Sequence, residues 1–248
     1  MLSAVILARD EEDRIAACVR AVAFADEVLV LDSGSTDRTV ALAEASGARV
    51  IRTDWPGYVA QKNRALAEAR GDWILSVDAD EIVDHTLAMS IVEVTREGRP
   101  PAAYALTRRE VWLGHALRGG HWRPRPHARL VHRDLVAQGH ARWTGEDPHD
   151  RLTTDRRAAV LAGHLVHTPY RDLGEHFRTI DRYTVLQARD AGVVTAGFRA
   201  LWHFVSGYLL RAGWRDGAPG LVVALLGGLH TFLKWSRKGF DPSARTPA

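Results

Sequence analysis

Two aspartates one residue apart, Asp78 and Asp80, follow the apolar run Trp73–Val77 and are the residues best suited to chemistry. Carboxylates at the end of a strand can hold a hard divalent cation, and such a cation neutralises a diphosphate. It also stabilises that diphosphate as it departs, as it would from a sugar nucleotide, an assistance worth several kcal/mol. The same residues suit a plainer part, an acidic strand-to-helix turn with Asp80 as a helix cap. A second acidic cluster, Asp32-Ser33-Gly34-Ser35-Thr36-Asp37, closes another apolar run. It can serve as a turn and cap, and Asp32 can also accept a hydrogen bond from a nucleotide base while Gly34 lets the backbone pass close to a ligand.

Charge is distributed to match such a site. The 248 residues carry a net +3, yet residues 1–95 balance to −8, residues 96–143 to +7, residues 144–196 to −1 and residues 197–248 to +5. A nucleic-acid binder with a uniformly basic face would not begin with so acidic a segment, so nucleic acid is not expected as a partner. The acidic first part suits a metal, and the basic second part suits an anionic substrate. That second part holds Trp122, Arg123, Arg125 and Arg129 in a Gly/Arg/Trp-rich stretch. Guanidinium groups pair bidentately with phosphate and carboxylate, and tryptophan stacks on sugar rings. The alternative is a solvated loop of snorkelling arginines. A lone cysteine, Cys18, excludes a disulfide framework and a four-cysteine zinc site.

The elements that must position these residues alternate between strand and helix. Leu2–Ala8 reads as a strand, too short and lacking the basic start of a secretory signal. Ile15, Cys18, Val19 and Val22 then recur on one helical face. Glu27–Leu31 is a second strand, followed by a helix over Arg38–Ser46 capped by the serine, threonine and aspartate before it and ended at Gly47. Ala48–Arg52 is a third strand. Pro56 is expected to open a helix running to about Arg70, with Gly71 after it, and Trp73–Val77 is a fourth strand. Repeated β-α-β units imply an α/β protein with a mostly parallel central sheet and helices on both faces. Ligands of such sheets bind beyond the carboxyl ends of the strands, where Asp32, Asp78 and Asp80 fall.

Beyond residue 100 the pattern changes. Tyr104–Leu113, Arg129–Arg133 and Ala159–His167 read as strands. From Asp172 to about residue 238 the chain reads as helical, with breaks around Gly192–Gly197 and Gly213–Gly220. Gly217–Leu233 is seventeen residues without a charge, short of the roughly twenty needed to span a bilayer. With the apolar stripe Phe198, Leu201, Trp202 and Val205 and the cations Arg215, Lys234, Arg237 and Lys238, it reads as membrane association in the interfacial plane. A packed core helix and a true span are the alternatives.

Several stretches together resemble a known family. They are Leu7–Ile15 (LARDEEDRI), Val28–Thr39 (VLVLDSGSTDRT), Asp54–Leu66 (DWPGYVAQKNRAL), Asp72–Val83 (DWILSVDADEIV), Gly119–Arg133 (GGHWRPRPHARLVHR), Asp147–Leu152 (DPHDRL) and Leu165–Leu173 (LVHTPYRDL). In order and spacing they resemble the family 2 glycosyltransferases of GT-A fold, and more narrowly the bacterial lipopolysaccharide inner-core glucosyltransferases that modify heptose. The tail Gly207–Lys238 is similar to that family's ending.

The resemblance implies a division of labour. Asp10, where the family usually carries asparagine, and Glu11 would begin the nucleotide pocket. Asp32 would recognise the base, Lys62 would reach the base or a phosphate, Asp78 would approach the ribose and Asp80 the metal, Mg²⁺ or Mn²⁺. His167, in a His-x-x-Tyr context, would be a further metal ligand or a phosphate contact, although a lone histidine after an apolar strand is more often structural. The family inverts at the anomeric carbon, so one carboxylate must deprotonate the acceptor hydroxyl. Asp150 is the first choice, Asp147 the second and Glu146 the third, with simple pairing of Asp150 to Arg151 or Arg129 as the alternative. Trp122, Arg123, Arg125 and Arg129 would meet the acceptor. The implied donor is a nucleoside-diphosphate sugar, UDP-glucose by resemblance. The implied acceptor is a lipid-linked oligosaccharide, inner-core heptose, met peripherally at the cytoplasmic face of the bacterial inner membrane. Residues 1–190 would form the catalytic domain and residues 191–248 a helical membrane-proximal extension.

Rival chemistries fit less well. A metal-dependent nucleotidyltransferase would use a similar aspartate pair, but it usually follows its first strand with a glycine-rich basic loop. Here Arg9-Asp10-Glu11-Glu12-Asp13 follows, and no G-x-G-x-x-G of a dinucleotide enzyme is present either. A processive synthase is disfavoured because Gln138–Trp143 (QGHARW) is one residue longer than Q-x-x-R-W. A non-catalytic membrane-surface scaffold of the same fold would have no need of Asp78, Asp80 and Asp150.

Overall fold

A strand that is buried along nearly its whole length must be covered on both faces, and β1 (Leu2–Ala8) is such a strand. Around it the computed structural model, which describes residues 1–96, 100–146, 149–241 and 244, builds two compact units. One comprises Met1–Arg108 and Arg125–His167, the other Arg109–Pro124 and Thr168–Ala248.

In the first unit, β1 is followed by α1 (Ile15–Ala21), β2 (Glu27–Asp32), α2 (Thr39–Ala45), β3 (Arg49–Arg52), α3 (Tyr58–Glu68) and β4 (Trp73–Asp78). β1 pairs in parallel with both β2 and β4, and β2 with β3. The register sets Asp32 opposite Ala8 and Asp78 opposite Leu7, so both acidic strand ends flank the carboxyl end of β1. Next come β5 (Glu81–Val83), α4 (His85–Val94) and β6 (Ala103–Trp112), then β7 (His115–Ala116) in the second unit. β8 (Arg125–His132), α5 (Arg133–Ala137), β9 (Ala141–Glu146), β10 (His149–Thr154) and β11 (Ala159–His167) return the chain to the first. The sheet runs β3-β2-β1-β4-β8-β6-β11-β5, with the β4–β8, β8–β6 and β11–β5 pairings antiparallel. The α/β class is as expected; its parallel character belongs to the β3-β2-β1-β4 half.

Alternation along the strands sends side chains to two cores. Ile6, Val30 and Leu75 meet Ile15, Cys18 and Val19 of α1 and Leu87 and Ile91 of α4 on one face. Val5, Leu29 and Ile74 meet Ala65 and Leu66 of α3, with Trp143 and Leu152 of the β9–β10 hairpin, on the other. Each large aliphatic side chain so buried contributes roughly 1.5–3 kcal/mol.

Local differences from the expected elements have physical causes. α3 begins at Tyr58 rather than Pro56, because Gly57 takes φ 103° as the residue before the helix. α2 begins at Thr39, whose N–H donates to Asp37 at 2.9 Å. Gly71 does not end a helix by left-handed backbone. It lies where a Cβ would fall 2.6 Å from the Ser3 backbone nitrogen, so it lets the chain pass close to β1. β8 starts at Arg125, earlier than expected, and Arg133 already opens α5.

The second unit contains α6 (Leu173–Leu186), α7 (Val193–Val205), a π-helical turn over Ser206–Leu210, a 3-10 turn over Gly213–Asp216, and α8 (Gly217–Phe240). The expected break at Gly192–Gly197 falls just before α7, and Gly197 is inside that helix. Trp112, Leu117, Ile180 and Leu226 form a small core. Asp216 accepts the backbone N–H groups of Arg118 and Gly119 at 2.9 and 2.8 Å, anchoring Arg109–Pro124 within this unit. The stretch Gly213–Phe240 is long and apolar enough to cross a membrane by length and composition.

Candidate active site

Lys62, Asp78, Arg129 and Asp150 converge in one charge cluster at the end of β4. α3 carries Gln61, Lys62 and Asn63, and each makes a different connection. Gln61 donates to the Ser33 hydroxyl at 3.1 Å and to Thr53 Oγ1, reaching the β2 end. Asn63 exchanges hydrogen bonds with the Trp143 backbone at 3.0 and 2.9 Å, holding β9 against the helix. Lys62, between them, is buried with its Nζ 2.9 Å from Asp78 Oδ1 and 2.8 Å from Asp150 Oδ2. The Trp143 ring lies beneath the ammonium, 4.4 Å from Nζ to centroid, a cation–π contact that adds to its confinement.

Arg129 completes the cluster. Its guanidinium is buried and reaches Asp78 Oδ2 at 3.0 Å and Glu81 Oε1 at 3.3 Å. Glu81 is fully buried and accepts the Asp78 N–H at 2.9 Å, and Arg108 approaches it at 3.8 Å. Burial alone would raise the Asp78 carboxyl, but Lys62 and Arg129 outweigh it and hold the group far below the usual carboxylate range. Burial wins at Glu81, whose carboxyl is pushed up despite Arg129. Three buried atoms around this cluster lack a hydrogen-bond partner among the described residues: Gln61 Oε1, Arg129 Nη1 and Trp143 Nε1. Buried polar atoms are rarely left so, and a bound polar ligand is one way to satisfy them.

Asp80 faces different company. His167, the last residue of β11, sits with Nε2 3.1 Å from Asp80 Oδ2, and Arg14 lies 4.0 Å away. One carboxylate beside one imidazole is a sparse donor set, and among the described residues no group of three or more His, Cys, Asp or Glu converges on a cation position. The Asp80 carboxylate fits Mg²⁺ or Mn²⁺ held jointly with a diphosphate, since Mg²⁺ is commonly bound through one or two carboxylates and completes its shell with phosphate oxygen and water. Asp78 is engaged with Lys62 and Arg129 instead.

The Asp10–Asp13 and Asp32–Asp37 loops are locked together. Asp10 adopts φ 54°, a left-handed conformation that aspartate and asparagine tolerate better than most residues. Its Oδ1 accepts the Thr36 N–H at 2.8 Å, while its own N–H donates to Ser35 Oγ at 2.9 Å. The Glu11 N–H donates to Thr39 Oγ1 at 2.7 Å. Asp32 is buried and accepts N–H groups of Gly34 and Ser35 at 3.1–3.3 Å, with Gly34 at φ 85° making the turn. Asp32 is thus a turn-former at the sheet edge, with further lone pairs to offer.

Of the remaining expected residues, Asp150 lies in β10 with its side chain 9% exposed. It forms an ion pair with Lys62, and its charge also acts on the Arg129 guanidinium. Asp147 lies outside the described residues, and Glu146 is described in its backbone only. The two arginines of the basic patch that lie in the first unit differ in burial. Arg129 is interior to the carboxylate cluster, whereas Arg125 is exposed at the start of β8. Trp122 and Arg123 belong to the second unit, where Trp122 packs 5.9 Å from Tyr170 and Arg123 reaches the Gly120 carbonyl at 3.4 Å. Cys18 donates weakly to the Asp78 carbonyl at 3.5 Å, and burial pushes its thiol up, as suits a core residue. Glu81, Trp143, Gln61 and Asn63 are further members of the site, and the sequence carries a signal for three of them: Glu81 directly follows Asp78-Ala79-Asp80, and Gln61 and Asn63 flank Lys62.

Comparisons with known proteins bear on this arrangement. The family described as Glycosyl transferase family 2 matches residues 3–133. The lipopolysaccharide core biosynthesis glycosyltransferase LpsC of Rhizobium meliloti is 26% identical over 94% of this chain and 89% of its own length. An uncharacterized glycosyltransferase of Rickettsia felis is 51% identical over 81 residues, 32% of this chain and 29% of that protein. Among solved structures, glucosyl-3-phosphoglycerate synthase from Mycobacterium tuberculosis with Mn²⁺ and UDP-glucose aligns with a TM-score of 0.48 and 25% identity, over 75% of this chain and 77% of that one.

Proposed function

The chain belongs to glycosyl transferase family 2, and on that premise we propose that it moves a hexose, glucose, from UDP-glucose to inner-core heptose of a lipid-linked saccharide with inversion at the anomeric carbon. The observation that carries the reading is the placement of three kinds of group at one sheet edge: Asp80 with His167, Lys62 with Asp78, and the buried Asp150. The lipopolysaccharide acceptor is supported by the near full-length likeness to LpsC.

In this reading the Asp10–Asp13 and Asp32–Asp37 loops receive the nucleotide, and Asp78 approaches the ribose. Asp80 and His167 would hold Mg²⁺ or Mn²⁺, which neutralises diphosphate charge and eases departure of the leaving group. Asp150 accepts the proton of the acceptor hydroxyl. That oxygen bonds to the anomeric carbon while the bond from the same carbon to the diphosphate oxygen breaks, releasing the nucleoside diphosphate. Lys62, 2.8 Å away, fixes the Asp150 carboxylate in position. Arg125, exposed at the start of β8, meets the anionic acceptor. The enzyme works peripherally at the cytoplasmic face of the inner membrane, where the apolar face of α7 and α8 meets the lipid.

The test is titration of the protein with UDP-glucose and other sugar nucleotides, with and without Mn²⁺ or Mg²⁺, followed by transfer to deacylated core oligosaccharide. Metal-dependent binding of UDP-glucose with glucose appearing on heptose is the expected result. Selective binding of a nucleoside triphosphate would favour nucleotidyl transfer, and absence of sugar-nucleotide binding would leave only a scaffold role.

A further inference from the structure

The second unit contains a cleft of its own, about 260 Å³ in volume, lined by His121, Arg199, Trp202, His203, Arg211 and Trp235. Ser206 and Thr231 also line it, and among the described residues that line it none is acidic. Two guanidinium groups with no carboxylate opposite make an anion site by charge alone. The cleft is also built. The His121 and His203 rings stack at 4.0 Å, and His121 Nε2 lies 3.1 Å from the His203 carbonyl and 3.2 Å from Ser206 Oγ. Arg199 Cζ lies 4.0 Å from the Trp235 ring centroid, a cation–π contact that confines its guanidinium. Gly227 leaves room for His203, since a Cβ there would fall 2.6 Å from the His203 Nε2.

The surroundings give the anion's character. Along α7 and the π-helical turn, the cations alternate with exposed apolar side chains: Phe198 is 70%, Trp202 63% and Leu210 67% exposed. Arg199 follows Phe198 directly, and Arg211 follows Leu210. A soluble anion needs no apolar rim, whereas an amphiphile's phosphate arrives with acyl chains beside it. Burial, together with His121, His230 and Arg211, pulls the His203 imidazole down to about 4, so His203 adds no charge to that of the two arginines near neutral pH.

We propose that this cleft seats the phosphodiester of an anionic phospholipid, with Arg199 and Arg211 as its charged contacts and Phe198, Trp202 and Leu210 entering the interfacial layer. The proposal rests on the membrane-surface reading above and adds to it a defined headgroup site.

The experiment is sedimentation of the full chain with vesicles of phosphatidylcholine alone or phosphatidylcholine containing phosphatidylglycerol, for the native protein and for Arg199→Gln with Arg211→Gln. Native protein should partition preferentially onto the anionic vesicles, and the double variant should lose that preference by on the order of tenfold or more. The variant should still bind UDP-glucose as the native protein does, showing that it is folded. Unchanged binding of the variant to anionic vesicles overturns the headgroup site and leaves membrane association standing. Failure of native protein to bind any vesicle overturns both. Displacement from vesicles by glycerol 3-phosphate at equal phosphate concentration would assign the cleft to a soluble phosphate and overturn the lipid proposal.

Discussion

The Lys62 ammonium and the Asp150 carboxylate lie 2.8 Å apart, joining helix α3 to the β9–β10 hairpin beneath the end of the sheet. The same ammonium is 2.9 Å from Asp78. One cation therefore serves two carboxylates from different elements, and its absence would leave both under-compensated.

Lys62→Met tests that dependence. The side chain of Lys62 is 6% exposed and that of Asp150 9%, so the pair has little solvent to fall back on. Removing one partner of a buried pair costs about 3–5 kcal/mol. Urea denaturation should show a loss of that order, and UDP-glucose affinity should fall with it.

Asp150→Asn keeps a hydrogen-bond acceptor near Lys62 but removes the base. Turnover should drop about 10²–10⁴-fold while UDP-glucose binding stays within a few-fold of native. Release of UDP in the presence of acceptor reads the first quantity and calorimetry the second. Full turnover in the variant would return the base role to Asp147 or Glu146.

His176 makes folding of the second unit sensitive to acid. Burial pulls its imidazole down to about 4, and its Nδ1 accepts the Trp112 Nε1–H at 3.1 Å, a bond that only an unprotonated Nδ1 can accept. With the native value below the unfolded one, the unfolded chain binds the proton first. Stability contributed here is complete above about pH 6.5 and is lost as pH falls toward 4. Melting temperatures between pH 7 and pH 4 should fall more steeply for native protein than for His176→Gln.

Gly163→Ala should destabilise the first unit by about 2 kcal/mol or more, through strain and overpacking together. Gly163 has φ +95°, and a Cβ there would lie 2.2 Å from the Leu87 backbone nitrogen. The contact presses β11 against α4, so the change should also weaken donor binding through His167, at the far end of β11. A native-like melting curve for Gly163→Ala would overturn this account.

The parallel half of the fold was legible because its signals are local. Continuous apolar runs such as Leu2–Ala8 end at acidic turns, and Ile15, Cys18, Val19 and Val22 recur at helical spacing and are buried. Asp78, Asp80 and Asp32 could be placed at strand ends for the same reason. Arg129 was legible as a cation but not as an interior one, since its burial depends on Asp78, Glu81 and Trp143 arriving from three other elements. The β9–β10 hairpin was hidden by its polar residues. Trp143 and Leu152 point to the core, but Arg142, Thr144, Arg151 and Thr153 dilute the apolar pattern. Glu81 escaped notice because a third acid beside Asp78 and Asp80 looks solvated in sequence, whereas β5 pairing with β11 draws it inside.

The hold of Asp216 on the Arg118 and Gly119 amides, 97 or more positions earlier in the chain, makes the two units inseparable by simple cutting. A protein stopped after His167 would retain residues 109–124 but lose the acceptor for those amides and the His203 ring stacked on His121. That segment would be left as an orphaned loop between β6 and β8, the two paired strands of the first unit's sheet. The helices at the end of the chain are in this sense a chaperone carried in cis for a stretch of polypeptide that lies, in sequence, between β6 and β8.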